Sequence, residues 1–169
     1  TKTAGGVYLH FGTLENGTLH THDTVEAAID LDRRQAIRRN HTAAHLLQAA
    51  LREVLGDHVE QAGQLVNEQA VRFDFTHFSV LTAEELQAVE NRVNQVIMSA
   101  IEVLNYETGI EEARAKGAMA LFGEKYGSRV RVVEVPGASI ELCGGTHVRN
   151  TGTMGLFKII GENGVASGV

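Results

Sequence analysis

The chain has 169 residues, of which 43% are hydrophobic and 21% charged, with eight His, one Cys, one Pro and no Trp. This composition supplies one good core, or a domain with a small appendage, and excludes collagen-like and disordered classes. The formal net charge of −6 weighs mildly against a nucleic-acid binder, because such proteins are normally basic.

The sequence contains no run of about 18 apolar residues, so we expect no contact with a membrane. A single cysteine cannot form an internal disulfide, which leaves Cys143 as a reduced thiol, an intermolecular partner or a metal ligand. A reducing, cytoplasmic location is the expectation that follows. Because the chain begins at Thr1 and ends in a glycine-rich stretch, we expect a processed or engineered fragment.

Short strands are predicted at the start of the chain. Residues 7–11 and 25–31 are apolar runs, and Asn16-Gly17 between them is typical of a tight hairpin turn. Because three short strands bury little on their own, we expect residues 1–32 to be the last part of a small β-barrel.

Two long helices are predicted further along. Asp32 is the expected N-cap of the first, with Gln35 in the capping-box position, and Gly56 ends it. The second begins at Thr82, with Glu85 as its capping-box partner. The other predicted elements are a β-hairpin over 64–78, a short helix over 111–117 and strands over 129–135, 138–142 and 155–160.

These elements together predict an α+β fold. A mixed or antiparallel sheet would pack with the two long helices as a two-layer sandwich, preceded by the part-barrel. We find no internal repeat and no low-complexity tract in the sequence.

His41 and His45 stand four residues apart on the first predicted helix. Side chains at positions i and i+4 share a helix face, so both imidazoles can reach one ion, as in many zinc sites. By itself the spacing is equally typical of a partly buried pair of helical histidines.

The only cysteine lies in a second motif, Cys143-Gly144-Gly145-Thr146-His147. Its two glycines favour a tight turn in which the thiolate and the imidazole converge. With His41 and His45 they make a set of three imidazoles and one thiolate, which suits tetrahedral Zn²⁺. The two motifs are 98 residues apart, so a metal would join the first helix to the C-terminal sheet.

The role of such a site stays open at this level. Four protein ligands are typical of structural zinc, whereas catalytic zinc keeps a position for water. Glu141, the acid beside the second motif, is either a base near the metal or an ordinary strand glutamate.

Four segments occur in this order along the chain: Asn40 to Leu47, Arg72 to Phe75, Gly117 to Gly127 and Cys143 to Val148. Together they resemble the editing domain of bacterial alanyl-tRNA synthetases. The likeness extends more distantly to AlaX-type editing proteins and to the threonyl-tRNA synthetase editing domain, and it covers nearly the whole chain.

The resemblance implies hydrolysis of the ester that joins serine or glycine to alanine tRNA. It implies that residues 33–169 are a zinc-binding editing domain, and that Gln61 lies in the amino-acid pocket. The implied partners are mischarged alanine tRNA and the rest of the synthetase chain. The family often has Thr where this chain has Ala44, a position that is not a ligand. The zinc ligands that it implies are His41, His45, Cys143 and His147.

An editing site that acts on serine and spares alanine needs polar groups that bind the serine hydroxyl. A hydrophobic pocket distinguishes poorly between side chains that differ by a hydroxyl. Thr42 and Gln61 are the candidates for hydrogen bonds to serine, with a core threonine and a solvated turn glutamine as the alternative interpretations. Whether zinc activates water or positions the aminoacyl group stays open.

Contacts to tRNA phosphates are predicted just before the zinc pair. Cations are disfavoured in the first turns of a helix, so four arginines there favour RNA, although any one of them is equally typical of a solvated helix start. Lys125, in the glycine-rich segment, could border the pocket or the tRNA end. The arginines are Arg33, Arg34, Arg38 and Arg39.

The charge is unevenly distributed. Residues 57–112 carry eleven acidic and two basic groups, whereas residues 1–56 are neutral overall and residues 113–169 carry a net charge of +3. We therefore expect tRNA to approach from the side away from the second long helix, and to bind weakly without the rest of the synthetase chain.

Three functions fit these observations. The first is a zinc-dependent deacylase of mischarged tRNA, and the second is a structural zinc domain that binds tRNA without catalysis. The third, a metallohydrolase for a free small molecule, leaves the arginine cluster unused.

Overall fold

The computed structural model of the chain describes residues 3, 6–120, 126–166 and 168–169. It confirms an α+β fold with three helices and two small antiparallel sheets within these residues. Of the helices described, none is both long and apolar enough to cross a membrane. The elements are α1 (Leu31–Leu55), β1 (Gln61–Val66), β2 (Val71–Phe75), α2 (Ala83–Met98), β3 (Leu104–Gly109), α3 (Ile110–Ala115), β4 (Arg129–Val135) and β5 (Ser139–Leu142), followed by a 3-10 turn, Thr151–Thr153.

The expected hairpin is formed by β1 and β2. Its turn is closed by Asn67, whose side-chain oxygen accepts hydrogen bonds from the backbone N–H groups of Gln69 and Ala70. The second sheet has the order β3-β4-β5. Its edge strand β3 was not predicted from the sequence, because the residues LNYETG lack the alternation of apolar and polar side chains that marks a half-buried strand.

The central strand β4 connects two hydrophobic clusters. Val133 and Val135 face the main core, which is filled by apolar side chains of α1 and α2. Val130 and Val132 face a smaller cluster that Ala113 of α3 completes. Side chains alternate between the faces of a strand, so both faces of this sheet are covered and α3 adds a small third layer.

The predicted N-cap of α2 is confirmed, whereas the predicted N-cap of α1 is wrong. Thr82 and Glu85 form both hydrogen bonds of a capping box, as predicted. For α1 the predicted cap Asp32 is wrong: Asp30 is the N-cap, and its carboxylate accepts from the N–H of Arg33 at 2.9 Å. Both aspartates have the chemistry of a cap, and Asp30 is the one with extended backbone.

The predicted strands at 7–11 and 25–31 are not formed as members of a sheet, and residues 6–30 contain none of the named strands. Phe11 is 84% exposed and Val25 65% exposed, so these side chains find no core to pack on. The predicted boundary between residues 32 and 33 falls inside the first turn of α1. A separate part-barrel over 1–32 therefore stays a prediction.

The predicted strand at 155–160 is instead a segment bound by side chains of α2. Asn94 exchanges two hydrogen bonds of 2.9 Å with the backbone of Phe157. The Glu90 carboxylate accepts from the N–H of Ile159 at 2.8 Å and from Nζ of Lys158 at 2.9 Å. These side chains satisfy the backbone where a neighbouring strand would otherwise do so.

Candidate metal centre and adjoining cavity

Two elements bring four metal-binding side chains to one point. His41 and His45 lie one turn apart on α1, and Cys143 and His147 lie in the loop that follows β5. One donor atom from each residue lies within 4.8 Å of the others. We call these four residues the donor cluster.

The distances within the donor cluster suit a tetrahedral ion. The Sγ atom of Cys143 lies 3.5 Å from Nε2 of His41 and 3.3 Å from Nε2 of His147. With typical Zn–S and Zn–N bonds, a tetrahedral site separates sulfur from nitrogen by about 3.6 Å. The imidazole centroids lie 4.3 to 5.4 Å apart.

The surroundings keep these imidazoles uncharged. Burial lowers the pKa of His45 to about 3, and protonation of His41 or the guanidinium of Arg131 would act in the same direction. Burial likewise lowers the pKa values of His147 and His41. A metal requires the neutral imidazole, so the electrostatics favour ligation over protonation.

The loop of the second motif is held in place by Arg131 on β4. Its guanidinium donates to the carbonyl oxygens of Cys143 and Gly145, at 2.9 and 2.5 Å, and to the side chain of Asn105. Gly145 is needed because a Cβ there would overlap the imidazole of His41. The two glycines thus do more than turn the chain, since one of them makes room for a histidine of the donor cluster.

His45 connects the donor cluster to Glu141. Its Nε2 atom lies 3.4 Å from a carboxylate oxygen of Glu141, and both side chains are almost fully buried. Burial raises the pKa of Glu141 to about 7, opposed by the hydrogen bond from Ser139. Since His45 is uncharged, this contact is not an ion pair.

Glu141 is also part of the lining of a cavity of about 210 Å³. Its wall combines polar side chains from α1, β1 and β5 with apolar groups, as is usual for small-molecule sites. The lining residues are Gln48, Arg52, Glu60, Gln61, Met119, Ala120, Glu141 and Leu142.

The structure separates the three predicted pocket residues. Gln61 and Glu141 both line the cavity. Thr42 is not among the lining residues; it is fully buried, and its hydroxyl is bonded to protein groups.

Gln48, on the buried face of α1, is a cavity residue that was not predicted from the sequence. It is 5% exposed, and its amide oxygen has no hydrogen-bond partner in the described part of the chain. A buried acceptor without a partner is unfavourable. The signal that could have identified it is a glutamine one turn after His45, on the buried face of the helix.

The predicted phosphate contacts lie on the first two turns of α1. Arg33 and Arg39 are exposed and Arg34 and Arg38 half-buried, and Arg33 pairs with Glu68 of the β1–β2 turn at 3.3 Å. Lys125 lies outside the described residues.

The geometry and the chemistry of the donor cluster fit a metal such as zinc. Besides the S···N distances, Nδ1 of His45 is buried and has no hydrogen-bond partner among the residues described, and a metal ligand bond is one way to satisfy such a nitrogen. The donor cluster could therefore hold a metal ion. Three nitrogens and one sulfur are the ligand types that zinc prefers.

Comparison with known proteins supports these observations. Residues 130–169 match the family model described as the threonyl and alanyl tRNA synthetase second additional domain. This stretch includes Cys143 and His147, but not the two histidines of α1.

Similarity to individual proteins extends over the whole chain. An alanine–tRNA ligase of Pelotomaculum thermopropionicum is 54% identical over 169 residues, and one of Acetivibrio thermocellus is 57% identical over 168 residues. One of Staphylococcus epidermidis is 54% identical over 169 residues. The chain spans 19% of the length of each of these relatives.

Proposed function

Because this chain belongs to the alanyl-tRNA synthetase family, as a segment that carries the second additional domain, we propose that it is the proofreading domain of the enzyme. Its reaction would be hydrolysis of the ester that joins serine or glycine to alanine tRNA. The observation that carries the proposal is the cavity that adjoins the donor cluster, with His45 and Glu141 in contact between them.

The metal of the proposal is Zn²⁺. His41, His45, Cys143 and His147 would hold it, and a bound zinc ion supplies Lewis-acid chemistry to a carbonyl or a water. Their uncharged imidazoles and the S···N distances support this assignment.

Glu141 is the proposed proton acceptor. It is the carboxyl group that both lines the cavity and contacts a residue of the donor cluster. In the reaction the oxygen of water bonds to the carbonyl carbon and the ester C–O bond breaks. The proton that water loses is taken up by Glu141 and returned to the ribose hydroxyl of the leaving tRNA.

Selectivity for serine over alanine is assigned to the polar wall of the cavity. Gln48 and Gln61 present side-chain amides there. A buried amide that a substrate hydroxyl satisfies stays unpaired when alanine binds, and this difference discriminates more strongly than size.

The tRNA would meet the arginines at the start of α1. Phosphate contacts fix register and orientation, so Arg34, Arg38 and Arg39 are proposed to position the acceptor end. Arg33 must first exchange its contact with Glu68. Lys125 belongs to the same proposal on the basis of sequence alone.

The proposed location is the cytoplasm, where cysteines are usually not joined in disulfides.

The alternative is a structural zinc domain that binds tRNA without catalysis. The observation that favours it is the number of protein donors, because a site with four protein ligands is typically closed. The proposals differ in whether the 169-residue chain releases serine.

The test is deacylation of seryl-tRNA(Ala) by the wild-type chain and by Cys143→Ala. The editing proposal expects release of serine by the wild type and a large loss in the variant. Zinc and tRNA binding without release would overturn it in favour of the structural domain. Hydrolysis of simple free esters without any dependence on tRNA would favour a small-molecule metallohydrolase.

A further inference from the structure

Thr42 lies directly after His41 on α1 and is completely buried, with 0% of its surface exposed. Its hydroxyl reaches three groups from two distant parts of the chain. These are the carbonyl oxygen of Arg38 at 2.9 Å, Nδ1 of His147 at 3.2 Å and the backbone nitrogen of Val148 at 3.2 Å.

The one hydrogen and two lone pairs of this hydroxyl determine which group donates and which accepts in each hydrogen bond. A threonine hydroxyl has one hydrogen to donate and two lone pairs that accept. The carbonyl of Arg38 can only accept, so it receives the hydroxyl hydrogen, which is the common i to i−4 bond of a helical threonine. The N–H of Val148 donates to one lone pair, and the second lone pair faces Nδ1 of His147.

The only arrangement that satisfies all three contacts has a hydrogen on Nδ1 of His147. In a neutral imidazole the other nitrogen, Nε2, is then an acceptor with a lone pair. Nε2 is also the nitrogen that lies 3.3 Å from the sulfur of Cys143. The lone pair of His147 is thus directed to the donor cluster.

We infer that Thr42 is a positioning residue that selects the metal-binding tautomer of His147 and docks the second motif on α1. The inference rests on the metal site of the proposed function. Partners of this kind fix the ring of a ligating histidine and contribute about 10–100-fold to metal affinity. Thr42 therefore acts through His147, and it does not line the cavity.

The geometry explains why a hydroxyl is required at position 42. An alanine there would leave Nδ1 of His147 and the N–H of Val148 buried without this acceptor. A valine would keep the volume and lose the same acceptor. A serine keeps the acceptor and loses only a methyl group, so it is the conservative variant.

The first test uses the wild-type 169-residue chain without metal. Nitrogen-15 NMR of the histidine rings distinguishes a protonated from an unprotonated ring nitrogen. The expected result is that Nδ1 of His147 carries the hydrogen at neutral pH. A hydrogen on Nε2 instead would overturn the inference without the need for any variant.

The second test compares Thr42→Val with Thr42→Ser. Titration with Co²⁺ and competition with Zn²⁺ should show affinity about 10–100-fold lower for the valine variant and close to wild type for the serine variant. The valine variant should also lose the preference of His147 for hydrogen on Nδ1. A loss in Thr42→Ser as large as that in Thr42→Val would overturn the inference, because serine keeps the hydroxyl acceptor.

These measurements need no tRNA, so they are independent of deacylation. Wild-type metal binding without release of serine would end the editing proposal and leave the role of Thr42 intact. Unchanged metal affinity in Thr42→Val, together with active deacylation, would end the role of Thr42 alone.

Discussion

The donor cluster and the cavity share the contact between His45 and Glu141, yet they are built differently. In the donor cluster four side chains converge within 4.8 Å, and neighbours such as Thr42 and Arg131 orient them. In the cavity polar groups from three elements surround about 210 Å³, and Gln48 has an acceptor that no described group satisfies. The cluster suits one small ion, whereas the cavity suits a ligand that brings its own hydrogen bonds.

The largest effect is expected when one residue of the donor cluster is replaced. His45→Gln should lower Zn²⁺ affinity by more than about 100-fold, because loss of a ligand exceeds the effect of a supporting partner. Deacylation should fall with it. The measurement is metal competition on the folded chain, with His10→Ala, an exposed histidine outside the cluster, as control; wild-type affinity in His45→Gln would refute the ligand assignment.

A smaller effect is expected from Gly145→Ala. The added Cβ would overlap the imidazole of His41, whereas a Cβ on Gly144 meets no atom within 4 Å. We expect the first substitution to lower metal affinity by about 10–100-fold, the range for loss of a group that orients a ligand, and Gly144→Ala to leave it near wild type. The same competition assay measures both, and equal affinities would show that His41 has room to move.

The cavity is tested by Gln48→Leu. Loss of a buried hydrogen bond to the substrate should lower kcat/KM for seryl-tRNA(Ala) by about tenfold, with metal affinity unchanged. The thermal stability of the free chain should change little, since the amide oxygen has no partner to lose. The Val59 carbonyl, which lies 3.5 Å from the amide nitrogen of Gln48, keeps its hydrogen bond from Arg52.

Gln64→Leu is the matched control for this substitution. Its amide oxygen is also buried without a partner in the described residues, but it does not line the cavity. If both variants lose the same activity, the effect comes from burial of an amide and not from the cavity.

The smallest effect on either region is expected from Glu90→Gln, at the contact between α2 and residues 157–159. Hydrogen bonds from Lys158 and Ile159 lower the pKa of Glu90. Its stabilisation is therefore present above the unfolded pKa, about 4.3, and is lost as the pH falls through the folded pKa. The variant should be less stable at neutral pH by about 1.5 kcal/mol and should lack this acid dependence.

Denaturant unfolding from pH 7 to pH 3 measures this difference. Metal affinity and deacylation at neutral pH should be unchanged, because the contact lies outside the donor cluster and the cavity lining. A loss of either property in Glu90→Gln would show that the C-terminal segment supports the site.

Sequence reasoning succeeded where the governing interactions are local. The capping box of Thr82 and Glu85 spans three residues, and the shared helix face of His41 and His45 follows from helix geometry. Strand β3 could not be predicted in the same way. Its polar sequence becomes a strand because β4 supplies backbone partners along its full length.

The apolar runs near the start of the chain show the opposite case. Residues 7–11 have the composition of a strand, but strand propensity is realised only where a sheet and a core receive the side chains. In this chain Val7, Tyr8 and Phe11 are exposed. The apolar pattern of residues 7–11 by itself therefore does not produce one of the named strands.

The sequence by itself determined which side chains can bind a metal, because imidazole and thiolate chemistry and the i, i+4 spacing are properties of the residues and of a single helix. Only the tertiary structure decided that His147 is directed by Thr42, that Gly145 makes room for His41 and that Glu141 lies between the donor cluster and a cavity. These contacts join residues about a hundred positions apart, and their geometry depends on how α1 packs against β5 and the loop that follows it.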